Sequence, residues 1–406
     1  MFVQRATSAS EVHMAFLHGV EVLEIDAGPR PIQTVKSSVV GIVGTAPDAD
    51  ADAFPLNTPV MVAGSRSHAA RLDMASNGRG TLPGAMDGIF DQIGAATVVV
   101  RVEEDADTTQ QLANVIGGAH AGTGQFEGAH ALLGAESVLG FAPRITIAPG
   151  FTHERPAGNA NPVVAEMQGI CERLRAVHFA DGPNTTDADA IAFAGDFGSD
   201  RIYLSDPWHK VLSGSDILDR PPSARLAGVQ AKVDNNIGFW ASLSNQTING
   251  IVGTTRPIDF KLGDANSRAN LLNEQKVGTT IRQNGYRTWG NRSLTDDTKW
   301  VFLSVRRTAD IINDSLLRAH LWAVDRGITR TYVQDVQEGV NAYLRDLVAL
   351  GAILGGKCWA DPDLNSAANI QLGRVYFNFD FTPVYPAEHI TFRSHLVNDY
   401  IQEVFT

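Results

Sequence analysis

The chain has 406 residues, enough for two or three domains whose cores need no covalent staples. Its 45 acids outweigh 33 bases, a formal net charge of −12 that argues against the basic footprint of a nucleic-acid binder. Hydrophobic residues at 44% and charged residues at 19% are ordinary for globular domains. No window approaches ~20 continuous apolar residues, and two cysteines make no disulfide framework.

In chain order, residues 1–10 are small and polar. His18–Asp26 is a short strand candidate: Val20 and Val22 alternate with Glu21 and Leu23, and Ile25 follows. Gly28, Pro29 and Pro31 mark a hinge, so residues 1–31 read as an arm and not as the start of a compact domain. The N-terminus lacks the charged-then-apolar pattern of a secretory signal. Val35–Thr45 has the apolar pattern of a buried strand, and Pro59–Ala63 is a second strand. Ser65–Ala75 is predicted helical with Ser65 as N-cap, and Pro83–Gly94 is a further helix. Ala96–Glu103 is the strongest strand of the first half. Thr108–Ile116 reads as a helix and Gly124–Leu139 as a loop leading into one. Arg144–Pro149, Val177–Asp181 and Arg201–Ser205 read as strands. Asn161–Val177, Asp187–Ala194 and Pro221–Asn235 read as helices, the first entered through Asn161 and Pro162. This alternation predicts an α/β layer around a partly parallel sheet.

Ile251–Phe260 is loop-like and Asp264–Gln275 helical. Val277–Trp289 is a hairpin candidate turning at Asn284–Gly285. Trp300–Arg306 reads as a strand and Thr308–Val324 as a helix. Thr331–Leu350 is a second helix, with Val333, Val336, Val340, Tyr343, Leu347 and Leu350 on one stripe and Gly351 ending it. Cys358–Ala368 reads as a loop. Val375, Phe377, Phe379 and Phe381 then alternate with polar residues, Pro383 and Pro386 interrupt, and Ile390, Phe392 and Leu396 alternate again. That pattern predicts a hairpin over 375–396. Tyr400, Ile401, Val404 and Phe405 are apolar at a spacing that suits a short helix. This tail either folds back on its own domain or lies on another chain.

The candidates for chemistry each have a plainer reading. Val39–Gly44 (VVGIVG) is glycine-spaced but is not the dinucleotide fingerprint, and no phosphate-binding loop motif occurs. His120 and His130, and the His153–Glu154 pair, lack the spacing of metal ligands. His389 and His395 share a strand face without a placed carboxylate, and no nucleophile elbow is present. Asp196, Asp200 and Asp206 resemble solvated loop residues. Arg306, Arg307, Arg318, Arg326 and Arg330 form a basic run: either a solvated helix face or a strip that meets an acidic partner. No catalytic constellation emerges, and no cofactor or metal is expected.

Long strings in the chain resemble the tail sheath proteins of contractile bacteriophages and of phage-tail-like bacteriocins. They are RTADIINDSLLRAHLWAVDRGIT (307–329), GVNAYLRDLVALGAILGGKCWADPDLN (339–365) and RVYFNFDFTPVYPAEHITFRSHLVNDY (374–400). HGVEVLEIDAGPRPIQTVKSSVVGIVGTAPDAD (18–50) and LLNEQKVGTTIRQNGYRTWGNRSL (271–294) are similar as well. The resemblance implies a structural protein, not an enzyme. It would stack as hexameric rings in a helix around a tail tube and contract from a metastable extended state, driving the tube through a bacterial envelope. The implied partners are further copies of the chain, the tube protein, and baseplate and terminator proteins, with no nucleic acid and no membrane. The implied location is the virion tail, after assembly in the host cytoplasm.

The implied fold is multidomain, α+β or α/β: an inner α/β domain built from both chain ends, an outer α/β domain inserted between, and extended terminal arms. Boundaries are expected at an arm over 1–31, an outer domain over 32–250, an inner domain over 251–397 and a C-terminal arm over 398–406. In the family, arms add strands to a neighbouring subunit's sheet. Val20, Val22, Leu23, Ile25, Tyr400, Ile401, Val404 and Phe405 are the arm candidates here. The 375–396 hairpin is the candidate receiver, and the arginine run is the candidate tube-facing strip. The competing readings are a non-contractile tail structural protein and a tail-associated α/β enzyme.

Overall fold

The computed structural model describes residues 31–398 and residue 400. The arm residues 20–25, Gly28 and Pro29, and Ile401, Val404 and Phe405 lie outside the described residues. β1 (Val40–Thr45) is buried at every position, as an apolar run in the middle of a covered parallel sheet must be. β2 (Val60–Ala63) and α1 (Arg66–Ala69) follow, the helix capped by Ser65 Oγ accepting the His68 N–H at 3.2 Å. α2 (Leu82–Phe90), β3 (Ala96–Val102) and α3 (Thr108–Ile116) come next. β4 (Gly118–Ala119) and β5 (Phe126–Glu127) make a small hairpin before α4 (Ala135–Leu139) and β6 (Ile145–Ile147). In α5 (Pro162–Leu174), Asn161 Oδ1 accepts the Val163 and Val164 N–H groups at 2.9 and 3.1 Å. β7 (Val177–Asp181), α6 (Asp187–Ala194) and β8 (Ile202–Ser205) complete the predicted strand–helix run.

β9 (His209–Ser213) and β10 (Asp216–Arg220) form a hairpin that sequence reading left unassigned. α7 (Ser223–Asn236) and β11 (Gly253–Thr254), which pairs with β9, precede α8 (Arg268–Glu274). β12 (Val277–Arg282) and β13 (Tyr286–Trp289) are the predicted hairpin. Its register pairs Arg282 with Tyr286, so the loop has three residues, and Asn284 and Gly285 take the positive φ values of 51° and 99°. Last come α9 (Leu303–Ala319), α10 (Arg330–Ala349), β14 (Ile353–Ala360), α11 (Ala367–Gln371) and β15 (Phe377–Pro383).

Eight strands make the main sheet in the order β13-β12-β8-β7-β6-β1-β3-β2. The six central strands are parallel, and β2 and β13 pair antiparallel at the edges. Crossover helices must cover both faces of such a sheet. On one face α2 and α7 pack on Val40, Ile42, Ile145, Phe179 and Tyr203. On the other α5 packs on Val43, Val98 and Val100, with Val115 of α3 joining the cluster. α2 and α7 cross closely because a Cβ on Gly228 would stand 2.7 Å from Ile89 O. A separate apolar cluster joins α9, α10, β14 and β15, with Phe239, Ile32 and Val35 packed into it.

Three expectations are corrected. Trp300–Arg306 is not a strand, because α9 begins at Leu303 after an extended Phe302. Its entry carries no side-chain cap, and a short apolar run does not reveal its own period. The 375–396 hairpin does not form. β15 pairs instead with β14, from Ile353↔Pro383 to Ala360↔Phe377, and the expected loop over Cys358–Ala368 overlaps only the last three residues of β14. Residues 384–398 contain no strand, with Phe392 92% and Leu396 100% exposed. The boundary at 250 divides no structural unit, since β12 and β13 beyond it hydrogen-bond into the main sheet through β8.

Candidate functional site

The β14–β15 ribbon is the most unusual surface. Two strands alone are marginal in water, so the pair depends on the helices behind it. Phe377, Phe379 and Phe381 turn toward α9 and α10, against a cluster that includes Ile312, Val340, Tyr343, Leu344 and Leu347. Of the predicted α10 stripe, Val336, Val340, Tyr343 and Leu347 are buried, while Leu350 is exposed. Gly356 is required in β14, since a Cβ there would meet Asp380 O at 2.7 Å.

The edges of the ribbon follow from its register. Asn341 of α10 donates from Nδ2 to Cys358 O at 3.1 Å and accepts the Cys358 N–H on Oδ1 at 2.8 Å. Cys358 therefore points its backbone away from β15. In an antiparallel pair its opposite residue, Phe379, must do the same. The Asp361 N–H bond to Tyr376 O at 3.0 Å fixes the same parity. The N–H and C=O groups of Phe377, Phe379 and Phe381 thus face outward, and among the described residues no strand pairs with them. β14 has its outer edge occupied at Cys358 by a side chain, whereas β15 is open.

From there the chain leaves the ribbon. Residues 384–398 run without regular structure, tied by Arg292 to Glu388 at 2.8 Å. Ile390, Phe392, Leu396 and Tyr400 are all exposed. Val375 is half-buried beside the strand. At the other end, Pro31 opens a segment fastened to the same helices. Thr34 Oγ1 lies 3.2 Å from the Tyr343 hydroxyl, and the Val35 N–H donates to Ser315 Oγ at 3.0 Å. A cavity of about 460 Å³ lies between this segment, the loop at Phe141 and the end of α9.

The arginine run divides into two. Arg307 is buried and donates to Asp234 at 2.7 and 2.5 Å and to Ser37 O at 3.2 Å. Arg306 donates to Asp310 at 2.9 Å and stacks on Trp300 at 4.3 Å. These two are internal ties and are withdrawn from the outward strip. Arg318 is partly exposed, paired with Asp314 at 2.8 Å and Glu136 at 2.6 Å. Arg326, over the Trp322 ring at 5.4 Å, and Arg330 are exposed. The aspartates of α9 complete a line of ion pairs along the amino ends of the parallel strands. Asp310 takes Arg201 in a two-pronged bond at 2.6 and 3.0 Å, and Asp314 takes Arg144.

Among the described residues no cluster resembles a catalytic centre. Among the described residues no group of three His, Cys, Asp or Glu side chains could hold a metal, and no helix is long and apolar enough to cross a membrane. His153 lies edge-on to Trp208, and Asp196 is held by Arg155 at 2.6 Å. His178 and His209 are buried, which pushes each down to about 3 and keeps them neutral. Burial pushes Asp181 up to about 7, against hydrogen bonds from Ser223 and Thr152.

Comparison with known proteins gives one consistent picture. Residues 124–294 match the phage tail sheath protein central domain, and residues 295–396 match the phage tail sheath C-terminal domain. A putative prophage major tail sheath protein of Pseudomonas aeruginosa (strain UCBPP-PA14) is 42% identical over 394 residues, 96% of this chain and 99% of that protein. The tail sheath protein of Escherichia phage P2 is 35% identical over 400 residues, covering 96% and 98%. Among solved structures, the sheath complex of the extracellular contractile injection system PVC, in its contracted state, superposes with a TM-score of 0.69. It is 18% identical and covers 95% of this chain and 99% of that one. The contracted helical sheath of the anti-feeding prophage gives 0.68 at 17% identity, covering 94% and 99%.

Proposed function

The chain belongs to the phage tail sheath protein family, a structural family and not an enzyme, and from that premise we propose how its ends make a polymer. It is a tail sheath protein of a phage or phage-like particle. In our reading it stacks as hexameric rings in a helix around a tail tube, bounded by baseplate and terminator proteins, after assembly in the host cytoplasm. It is built in a metastable extended form and shortens to drive the tube through the envelope.

The observation that carries this reading is the open edge of β15, next to a chain end whose large apolar residues are exposed. An unpaired edge is a liability in a monomer and a connector in a polymer. The receiving strand is β15 itself, through Phe377, Phe379 and Phe381. The C-terminal arm starts earlier than residue 398, at the end of β15, so that Ile390, Phe392 and Leu396 belong to the arm and not to its receiver. The attachment of residues 31–37 to α9 and α10 supports an inner domain built from both chain ends, with the N-terminal arm, Val20 to Ile25, leaving through Gly28–Pro31.

Two truncations test this: removal of residues 1–27, and removal of residues 389–406, which takes away Ile390, Phe392 and Leu396 together with the tail after Tyr400. Each is expected to leave a folded monomer by circular dichroism and to abolish the striated hollow cylinders seen by negative-stain microscopy. Cylinders of normal length from either truncation would overturn it.

A further inference from the structure

β1 has β3 on one side and β6 on the other, so the connections leaving β1 and β3 run in opposite directions. The loops at the carboxyl ends of β1 and β6 part there, and open α/β sheets bind ligands in that crevice. Here the crevice holds a cavity of about 190 Å³. Thr81 ties it to β1, its N–H donating to Thr45 O at 2.9 Å, and Gly150 follows β6.

Its polar lining is cationic and incompletely satisfied. Arg225 is 2% exposed and reaches Asp91 at 3.2 Å through Nη2, while its Nε has no hydrogen-bond partner among the described residues. A buried guanidinium N–H left without an acceptor is costly. Arg220 forms no salt bridge among the described residues. Its guanidinium lies over the first turn of α2, 3.2 Å from where a Cβ on Gly84 would stand. That turn has no side-chain cap, because Thr81 Oγ1 accepts the Thr45 N–H instead. Pro83 has no N–H and the Ala85 N–H donates to Thr81 O at 3.2 Å, so the N–H groups of Leu82 and Gly84 are what the turn adds at the positive end of the helix dipole. Asp219 is the acidic residue of the lining, and it is exposed. Trp208 supplies a flat apolar wall.

We propose that this crevice binds a single phosphate-sized oxyanion, held between Arg220, Arg225 and the first turn of α2. The volume suits one such group and is below the range usual for drug-sized ligands. The bound anion ties the base of the β9–β10 hairpin and the start of α7 to α2. This role is independent of strand exchange.

The test uses the full chain and inorganic phosphate, with chloride at matched ionic strength as control. Phosphate is expected to raise the melting temperature saturably and to change tryptophan fluorescence, with the fluorescence change absent in Trp208→Phe. Arg220→Ala is expected to weaken phosphate at least tenfold while far-UV circular dichroism stays unchanged. Gly84→Val, which fills the place of the Arg220 guanidinium, is expected to weaken it similarly. A phosphate effect no larger than that of chloride, or one unchanged in Arg220→Ala, would overturn the proposal.

Discussion

Arg307 and Asp234 meet with both side chains out of solvent, 3% and 0% exposed. A pair of this kind adds little over an apolar substitute, but breaking it strands one charge in the interior. Asp234→Asn is therefore expected to cost about 3–5 kcal/mol, read as a lower urea midpoint at unchanged slope. Arg326→Gln, at an exposed position, is expected to stay within about 0.5 kcal/mol. The buried titratable groups set a pH dependence. His178 and His209 fall from 6.5 to about 3 on folding, so their contribution is complete above pH 6.5 and is lost as pH falls through the window below it. Asp181 rises from 3.8 to about 7, so the folded state keeps a proton that the unfolded state has released, and its contribution declines as pH rises across that window. Among these three groups, His178 and His209 outweigh Asp181 between roughly pH 4 and 6. Asp181→Asn removes the opposing group and is expected to steepen the rise of stability with pH by about 1.4 kcal/mol per pH unit. Urea titrations of both proteins at three pH values check the sign. An unchanged slope would show that Asp181 is ionised in the fold.

The proline and alanine variants of Phe379 separate the edge of β15 from its core face. Phe379→Ala removes the ring and keeps an outward N–H, whereas Phe379→Pro removes both and leaves the bonds to β14 intact. Both variants are expected to lose stability together, and only the proline variant is expected to lose polymerisation by sedimentation. Equal sedimentation of the two would remove β15 as the receiving strand. Elements with a complete local signature were legible in the sequence. α5 has Asn161 and Pro162 at its entry, α10 has its three-and-four stripe, and α3 and α6 match their predicted spans to the residue. Elements defined by a distant partner were not legible. β14 contains Gly355 and Gly356, which weaken any strand pattern, yet Gly356 is there because the Asp380 carbonyl comes so close. α9 has no capping residue at Phe302, so its first turn passed for the end of a strand. The 390–396 alternation has the period of a strand, but period two alone supplies no pairing partner, and Ile390, Phe392 and Leu396 are exposed outside any strand.

At the scale of the whole molecule, the arginine run of α9 and α10 is divided between interior ties and the surface. Of the five arginines between 306 and 330, two are tied to interior aspartates and one is shared between Asp314 and Glu136. What the run still offers to a partner is Arg326, on the turn between α9 and α10, and Arg330, the first residue of α10, near exposed Leu321 and Val324 in sequence. On a chain with a formal net charge of −12, an exposed basic turn is a local exception, and it suits an acidic partner surface. Our reading places that surface on the tube. The double substitution Arg326→Glu and Arg330→Glu should then weaken co-assembly with tube protein about tenfold or more, and leave empty contracted cylinders at wild-type yield. The wild-type interaction should also weaken with added salt, because exposed pairs are screened beyond about 8 Å at physiological ionic strength. Arg318 is left out of the substitution, since reversing it would also break its bonds to Asp314 and Glu136 and confound assembly with stability. Equal loss of tube-bound and empty cylinders would assign the turn to contacts between sheath subunits, and the tube would have to be held elsewhere.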